Sequence, residues 1–268
     1  VTLILTLTLT LTLTHTLTLT LTLTLALTLT LRLTLRLALT LTLISSVIGV
    51  IAGALQGFYG GWVDHETGGG GKLSNPHMHL LEASLRHYEV MGDPASAARI
   101  QTIATLFERF MFAPETGAVL ERFGPDWTRV RDDRIEPGHC YEWIYLLSET
   151  DRLIGRDCGS WLRRIYAFAE REGIRNGLAL DVLGNGATTY RLWPQLERLR
   201  TYITLGSPQA PVKAMIDEIN ARYLQKGPAH GWVDRLDAEF EPAVDHVPAS
   251  MVYHLMTGIA PFVAPPKS

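Results

Sequence analysis

The hydrophobic pattern changes period once along the chain. From Leu3 to Leu43 every odd position is Leu except His15, and the even positions are Thr except Ile4, Ala26, Arg32, Arg36 and Ala38. Period two is the signature of an extended strand with one apolar face. Natural strands stop at roughly ten residues, and this ladder carries no turn signal. Residues 1–55 are therefore read as a low-complexity Leu/Thr repeat with an apolar end, the translation of a nucleotide repeat rather than an evolved domain. Glycine and aromatic residues then crowd 57–62, and four glycines follow at 68–71. Beyond them apolar residues recur at intervals of three and four, which predicts helices over 76–91, 94–111, 137–154, 159–172, 189–205, 208–224 and 250–262. Asn75-Pro76, Asp93-Pro94, Glu136-Pro137 and Ser207-Pro208 each put Pro at a helix start, where its missing N–H is no loss. Only short extended pieces intervene, at 118–123, 179–183 and 231–236. The prediction for residues 56–268 is an all-α domain of antiparallel helix pairs with short strands in the connections.

Composition narrows the classes. The 268 residues are 47% hydrophobic with a net charge of −3 and no basic run, which excludes the electrostatic footprint of a nucleic-acid binder. Cys140 and Cys158 are the only cysteines, too few for a disulfide framework, so a reducing, cytoplasmic setting is expected. Residues 37–55 form a charge-free apolar run of about membrane-spanning length behind Arg32 and Arg36. A membrane anchor there is the alternative, and membrane association is not the expectation.

The candidate chemistry sits at helix starts. Arg134 to Trp143 packs Pro137, Gly138, His139 and Glu142 into ten residues, and Asn75 to Glu82 repeats the spacing with His79 and Glu82. A spacing of three puts each His and Glu on one helix face. The positive end of the helix dipole there favours the neutral imidazole that a general base needs, and Gly138 lets another group come close. Two such helices side by side would bring imidazoles and carboxylates into one pocket for acid–base catalysis. A histidine hydrogen-bonded to a nearby carboxylate with no further role is the plainer reading of either copy. A di-metal site is the rival functional reading, but such bundles place Glu before His, so no metal or cofactor is expected. Further along, Arg191 to Glu197 offers Trp193 as a flat apolar face and Gln195 as a donor–acceptor pair, suited to a sugar, although Trp193 would serve equally as a core anchor. Val247 to His254 delivers a third histidine near a helix start.

Five stretches, NPHMHLLEA at 75–83, EPGHCYEW at 136–143, RLWPQLE at 191–197, GWVDRLD at 231–237 and VPASMVYHL at 247–255, resemble the N-acylglucosamine 2-epimerase family in the family's own order. That family includes mannose isomerase, mannose-6-phosphate isomerase-like members and cellobiose 2-epimerase. The resemblance implies an (α/α)6 barrel and metal-free proton transfer through a cis-enediol(ate) on a small-molecule sugar. It implies His139 and His254 as the acid–base pair, His79 in ring opening or sugar binding, and Glu142, Trp193 and Gln195 against the substrate. Seven predicted helices imply an incomplete barrel that lacks its N-terminal part, including an arginine that the family turns toward the sugar. The expectation is an isomerase or epimerase of impaired activity, with uncovered apolar faces that favour a homodimer. The alternative is a catalytically inactive helical module kept for sugar binding or association.

Overall fold

The computed structural model describes residues 71–130, 134–184, 188–227 and 231–263, with side chains to residue 258. The Leu/Thr ladder, the 37–55 run and the expected boundary at residue 55 lie outside them. In chain order the elements are β1 (Lys72–Leu73), α1 (Ser74–Met91), α2 (Pro94–Leu106), β2 (Phe112–Ala113), β3 (Ala118–Val119), β4 (Arg122–Phe123), α3 (Pro137–Ile154) and α4 (Gly159–Glu172). They continue with β5 (Ile174–Arg175), β6 (Leu178–Ala179), β7 (Tyr190–Arg191), α5 (Leu192–Thr204), α6 (Gln209–Ile219), β8 (Arg235–Leu236) and α7 (Ser250–Val263). Single π-helical turns extend α2 to Met111 and α6 to Leu224.

Local chemistry sets the helix ends. Asp93 caps α2 by accepting from the Ser96 amide at 3.0 Å, with Pro94 opening the helix. Gly92 and Gly155 stop α1 and α3 in the left-handed region, at φ 64° and 66°. Helix α1 begins at Ser74, two residues before its proline, because a proline is tolerated anywhere in the first turn, whose N–H groups lack helical partners.

Burial divides the helices into two layers. Twelve of the 18 residues of α3 are buried, whereas only three of the 14 in α4 and two of the 11 in α6 are. Helices α1, α3, α5 and α7 pack in series as an inner row, and α2, α4 and α6 lie outside α1, α3 and α5. This is the layering of an α/α barrel, with four inner and three outer helices among the described residues. Buried side-chain bonds pin the inner row: Trp143 Nε1 on α3 donates to Ser74 Oγ on α1 at 3.1 Å, and Thr201 Oγ1 on α5 donates to the Tyr141 carbonyl on α3 at 3.0 Å.

The connections are two-residue antiparallel ladders, β1 with β4, β2 with β3, β5 with β6 and β7 with β8. Of the extended pieces expected from sequence, 118–123 divides between two ladders. The four predicted starts at 76, 137, 189 and 250 belong to the inner helices, and all four N-terminal turns point to one end of the row, where the motif residues collect. Val252 and Met256 on α7 are exposed. Among the described residues no helix is long and apolar enough to cross a membrane.

Candidate active site

Every motif histidine lies in the first two turns of an inner helix, so the site is assembled from four helix starts. His139 stands in the first turn of α3, fixed from behind. Its Nδ1 lies 3.1 Å from both oxygens of Glu121, which precedes β4, and its Nε2 lies 3.9 Å from Glu136. Backbone pairing holds Glu121 there, since its carbonyl accepts from the Ser74 amide at 2.9 Å. Burial alone would lower the basicity of this imidazole. The charge and hydrogen bond of Glu121, with Glu136 and Glu142 adding to them, outweigh burial and raise its pKa to about 9. The neutral imidazole expected from the helix dipole is thus not the resting form. A carboxylate in contact outweighs a partial charge at a helix end.

His254, on α7, is held in the same manner. Its Nδ1 lies 2.8 Å from Glu197 Oε1 on α5. The indole of Trp193 lies between the two histidines, with ring centroids 5.2 Å from His139 and 5.1 Å from His254. Gly138 permits this, because a methyl group at that position would overlap the six-membered ring of Trp193.

Glu142, one turn along α3 from His139, is fully buried, and neither of its oxygens has a hydrogen-bond partner. Burial and the negative charge of Glu197 raise its pKa. A buried carboxylate without a hydrogen bond is costly to the fold. His79 on α1 approaches Glu82 and Glu142 at 3.7 and 3.9 Å. Its imidazole is 46% exposed, so water screens much of their pull. Tyr253 on α7 donates to Glu82 on α1, which joins the two ends of the inner row.

The structure therefore brings His79, His139, Glu142, Trp193 and His254 together. Gln195 stands apart from them. Its side chain is fully buried, accepts from the Ala179 amide at 2.8 Å and donates to the carbonyls of Ala179 and Arg191 at 2.8 and 3.0 Å. Both of its N–H groups and its carbonyl oxygen are engaged in fastening β6 to α5, which gives Gln195 a structural part. Cys140, beside His139, is buried and its thiol is pushed up to about 12, which removes it as a nucleophile.

The sequence reading missed Glu121 and Arg200 and left Glu82, Glu197 and Tyr253 without roles. Spacing could have flagged Arg200, three residues after Glu197 on one helix face. No local signal marks Glu121, which a strand pairing brings to His139. The trios His79, Glu82, Glu142 and Glu142, Glu197, His254 each gather ligand-type atoms within 4.8 Å. The buried guanidinium of Arg200, 2.6 Å from Glu197, already supplies a positive charge in this cluster.

Known proteins resemble this chain in sequence and in fold. The sequence profile of the N-acylglucosamine 2-epimerase family matches residues 56–258. A mannose-6-phosphate isomerase of Rhizobium meliloti (strain 1021) is 33% identical over 208 residues, which are 69% of this chain and 53% of the relative. A D-mannose isomerase of Thermobifida fusca is 36% identical over 101 residues, 33% of this chain and 25% of the relative. The fold superposes on cellobiose 2-epimerase from Bacillus thermoamylovorans B4167 with a TM-score of 0.57 at 20% identity, covering 64% of this chain and 47% of that one. The chain thus spans about half the length of the relatives it matches over most of its own. A profile match over three quarters of the chain, on the segment that holds all five motifs, places it in the N-acylglucosamine 2-epimerase family.

Proposed function

We propose that this chain carries the proton-transfer site of a sugar aldose–ketose isomerase or 2-epimerase, acting on the mannose, mannose 6-phosphate or N-acylglucosamine class. The observation that carries the reading is the pair His139 and His254, each tied at Nδ1 to a carboxylate and both against the indole of Trp193. With Nδ1 engaged, Nε2 of each ring is the nitrogen left for proton transfer. Glu142 supports the same reading, because its unpaired oxygens suit sugar hydroxyls. So do the names of the relatives.

The chemistry follows from two imidazoles on one open-chain sugar. His254 takes the proton from C2 of the aldose, and the C–H electrons form a C1–C2 double bond as the carbonyl oxygen takes up a proton from His139, giving a cis-enediol. Return of a proton to C1, with loss of the proton on the C2 hydroxyl, yields the ketose. Return to C2 from the opposite face regenerates the aldehyde as the 2-epimer. His79, half exposed at the edge of the site, assists ring opening, Trp193 lies along the C–H face of the sugar, and Glu142 orients its hydroxyls.

Incubation of the purified chain with mannose, mannose 6-phosphate and N-acetylglucosamine, with products separated by chromatography, tests the reading and distinguishes its two branches. A ketose product identifies an isomerase, and a 2-epimer identifies an epimerase. Saturable quenching of tryptophan fluorescence by a sugar with no product from any of the three would overturn it in favour of a sugar-binding module.

A further inference from the structure

Each of the two histidines has its own backing carboxylate, and the two carboxylates differ in what stands behind them. Glu121 gives both oxygens to His139. Glu197 divides its oxygens, Oε1 to His254 at 2.8 Å and Oε2 to the guanidinium of Arg200 at 2.6 Å, with both Glu197 and Arg200 sealed from solvent. Arg200 stacks on the Tyr145 ring at 4.0 Å from its centroid, and Arg86 donates to the Tyr145 hydroxyl from the other side. The charged and titratable groups around His254 come from every inner helix: Glu82 and His79 on α1, Glu142 on α3, Glu197 and Arg200 on α5, and Tyr253 on α7 itself. Glu82, Glu142 and Glu197 place three carboxylates in this cluster, and Arg200 is the fixed cation among them. Without it the cluster would hold extra protons, and an imidazole in contact with Glu197 is the readiest place for one.

We propose that Arg200 is a positioning residue for the proton transfer: it balances the charge of Glu197 and holds that carboxylate on Nδ1 of His254, so that Nε2 is the ring nitrogen presented to the substrate as the base. The inference deepens the proposed function and rests on it for the role of His254. Arg200 touches no substrate in this account. Its influence passes through Glu197, and Tyr145 keeps the guanidinium in place. The site is thereby made unsymmetrical, since the carboxylate behind His139 gives both oxygens to its imidazole whereas the one behind His254 is shared with a fixed cation.

The test reads the protonation midpoint of His254 in two ways. One is the acid limb of the pH profile for proton exchange at C2 of mannose. The other is the NMR titration of the His254 ring, which needs no turnover and so separates failure of this inference from failure of the enzymatic reading. Arg200→Met is expected to move both midpoints upward by about 1 to 2 pH units, the effect of losing a unit charge that lies just beyond the Glu197 carboxylate in a buried site. Arg200→Lys, which keeps the charge, is expected to stay within about half a unit of the unsubstituted chain, and Glu197→Gln to move the midpoint downward. Should Arg200→Met fail to fold, Tyr145→Leu frees the guanidinium to swing away and is expected to shift the midpoint upward by a smaller step. Midpoints unchanged in Arg200→Met, or in Tyr145→Leu where only that variant folds, would overturn the proposal. So would a shift of equal size in Arg200→Lys.

Discussion

Both carboxylate oxygens of Glu121 lie 3.1 Å from Nδ1 of His139, so an anion in contact, and not the helix start, sets the charge of this imidazole. The histidine titrates near 9 in the folded chain against 6.5 for an ordinary one. Folding therefore takes up a proton between those values. The stabilisation is full below about pH 6.5 and is lost as the pH rises through about 9. A shift of this size corresponds to on the order of 3 kcal/mol. Thermal unfolding followed from pH 6 to pH 10 should show Tm falling through that window. In Glu121→Gln the fall should be much shallower.

The proposed role of Glu142 in binding the sugar implies a cost in stability. Its carboxylate is buried with both oxygens unpaired, so Glu142→Gln removes a buried charge without changing shape. Urea unfolding should find the variant as stable as the original or more so by about 1 kcal/mol. Sugar turnover should fall at least tenfold, since the lost carboxylate is the acceptor for the substrate hydroxyls. A variant that is destabilised and fully active would count against that role.

Gly138 is where the indole of Trp193 and the start of α3 touch. A single methyl added there overlaps the ring, and overpacking of this kind costs about 1–3 kcal/mol. Gly138→Ala should lower Tm, shift the tryptophan emission as the indole is displaced, and reduce turnover, because both histidines pack on that ring. Gly138 has no left-handed φ, so the overlap with the ring alone carries the effect.

Gln195 should behave as a structural residue. Gln195→Leu leaves the buried amide and carbonyl of Ala179 without partners, at a cost of about 2–4 kcal/mol. Chemical denaturation should register that loss. KM for the sugar should remain that of the unsubstituted chain at temperatures where the variant is folded.

Much of this architecture was legible in the sequence. Helices α3 and α4 begin and end where their apolar periodicity and flanking Pro or Gly put them, because their signals are local. The predicted 94–111 and 208–224 helices are continuous in the structure but finish in π turns, which shift the hydrogen bonding without altering the apolar spacing. The ladders at 72–73 and 190–191 were invisible, being two residues long and paired with distant segments. The same distance effect governs the site. The sequence singles out His139, Glu142 and His254 because each stands at a helix start beside other polar residues. It does not single out Glu121, since only the pairing of β1 with β4 brings it to His139. Gln195 was misread because an amide suited to a sugar's hydroxyls is equally suited to a strand's backbone, and sequence does not say which it meets.

The central claim is that His139 and His254 move a proton at C2 of a sugar. Proton NMR of mannose incubated with the chain in heavy water reads that step directly. Loss of the C2 proton signal, at a rate reduced at least a hundredfold in both His139→Asn and His254→Asn, is the predicted result. Exchange that persists in either variant at the rate of the unsubstituted chain would contradict it.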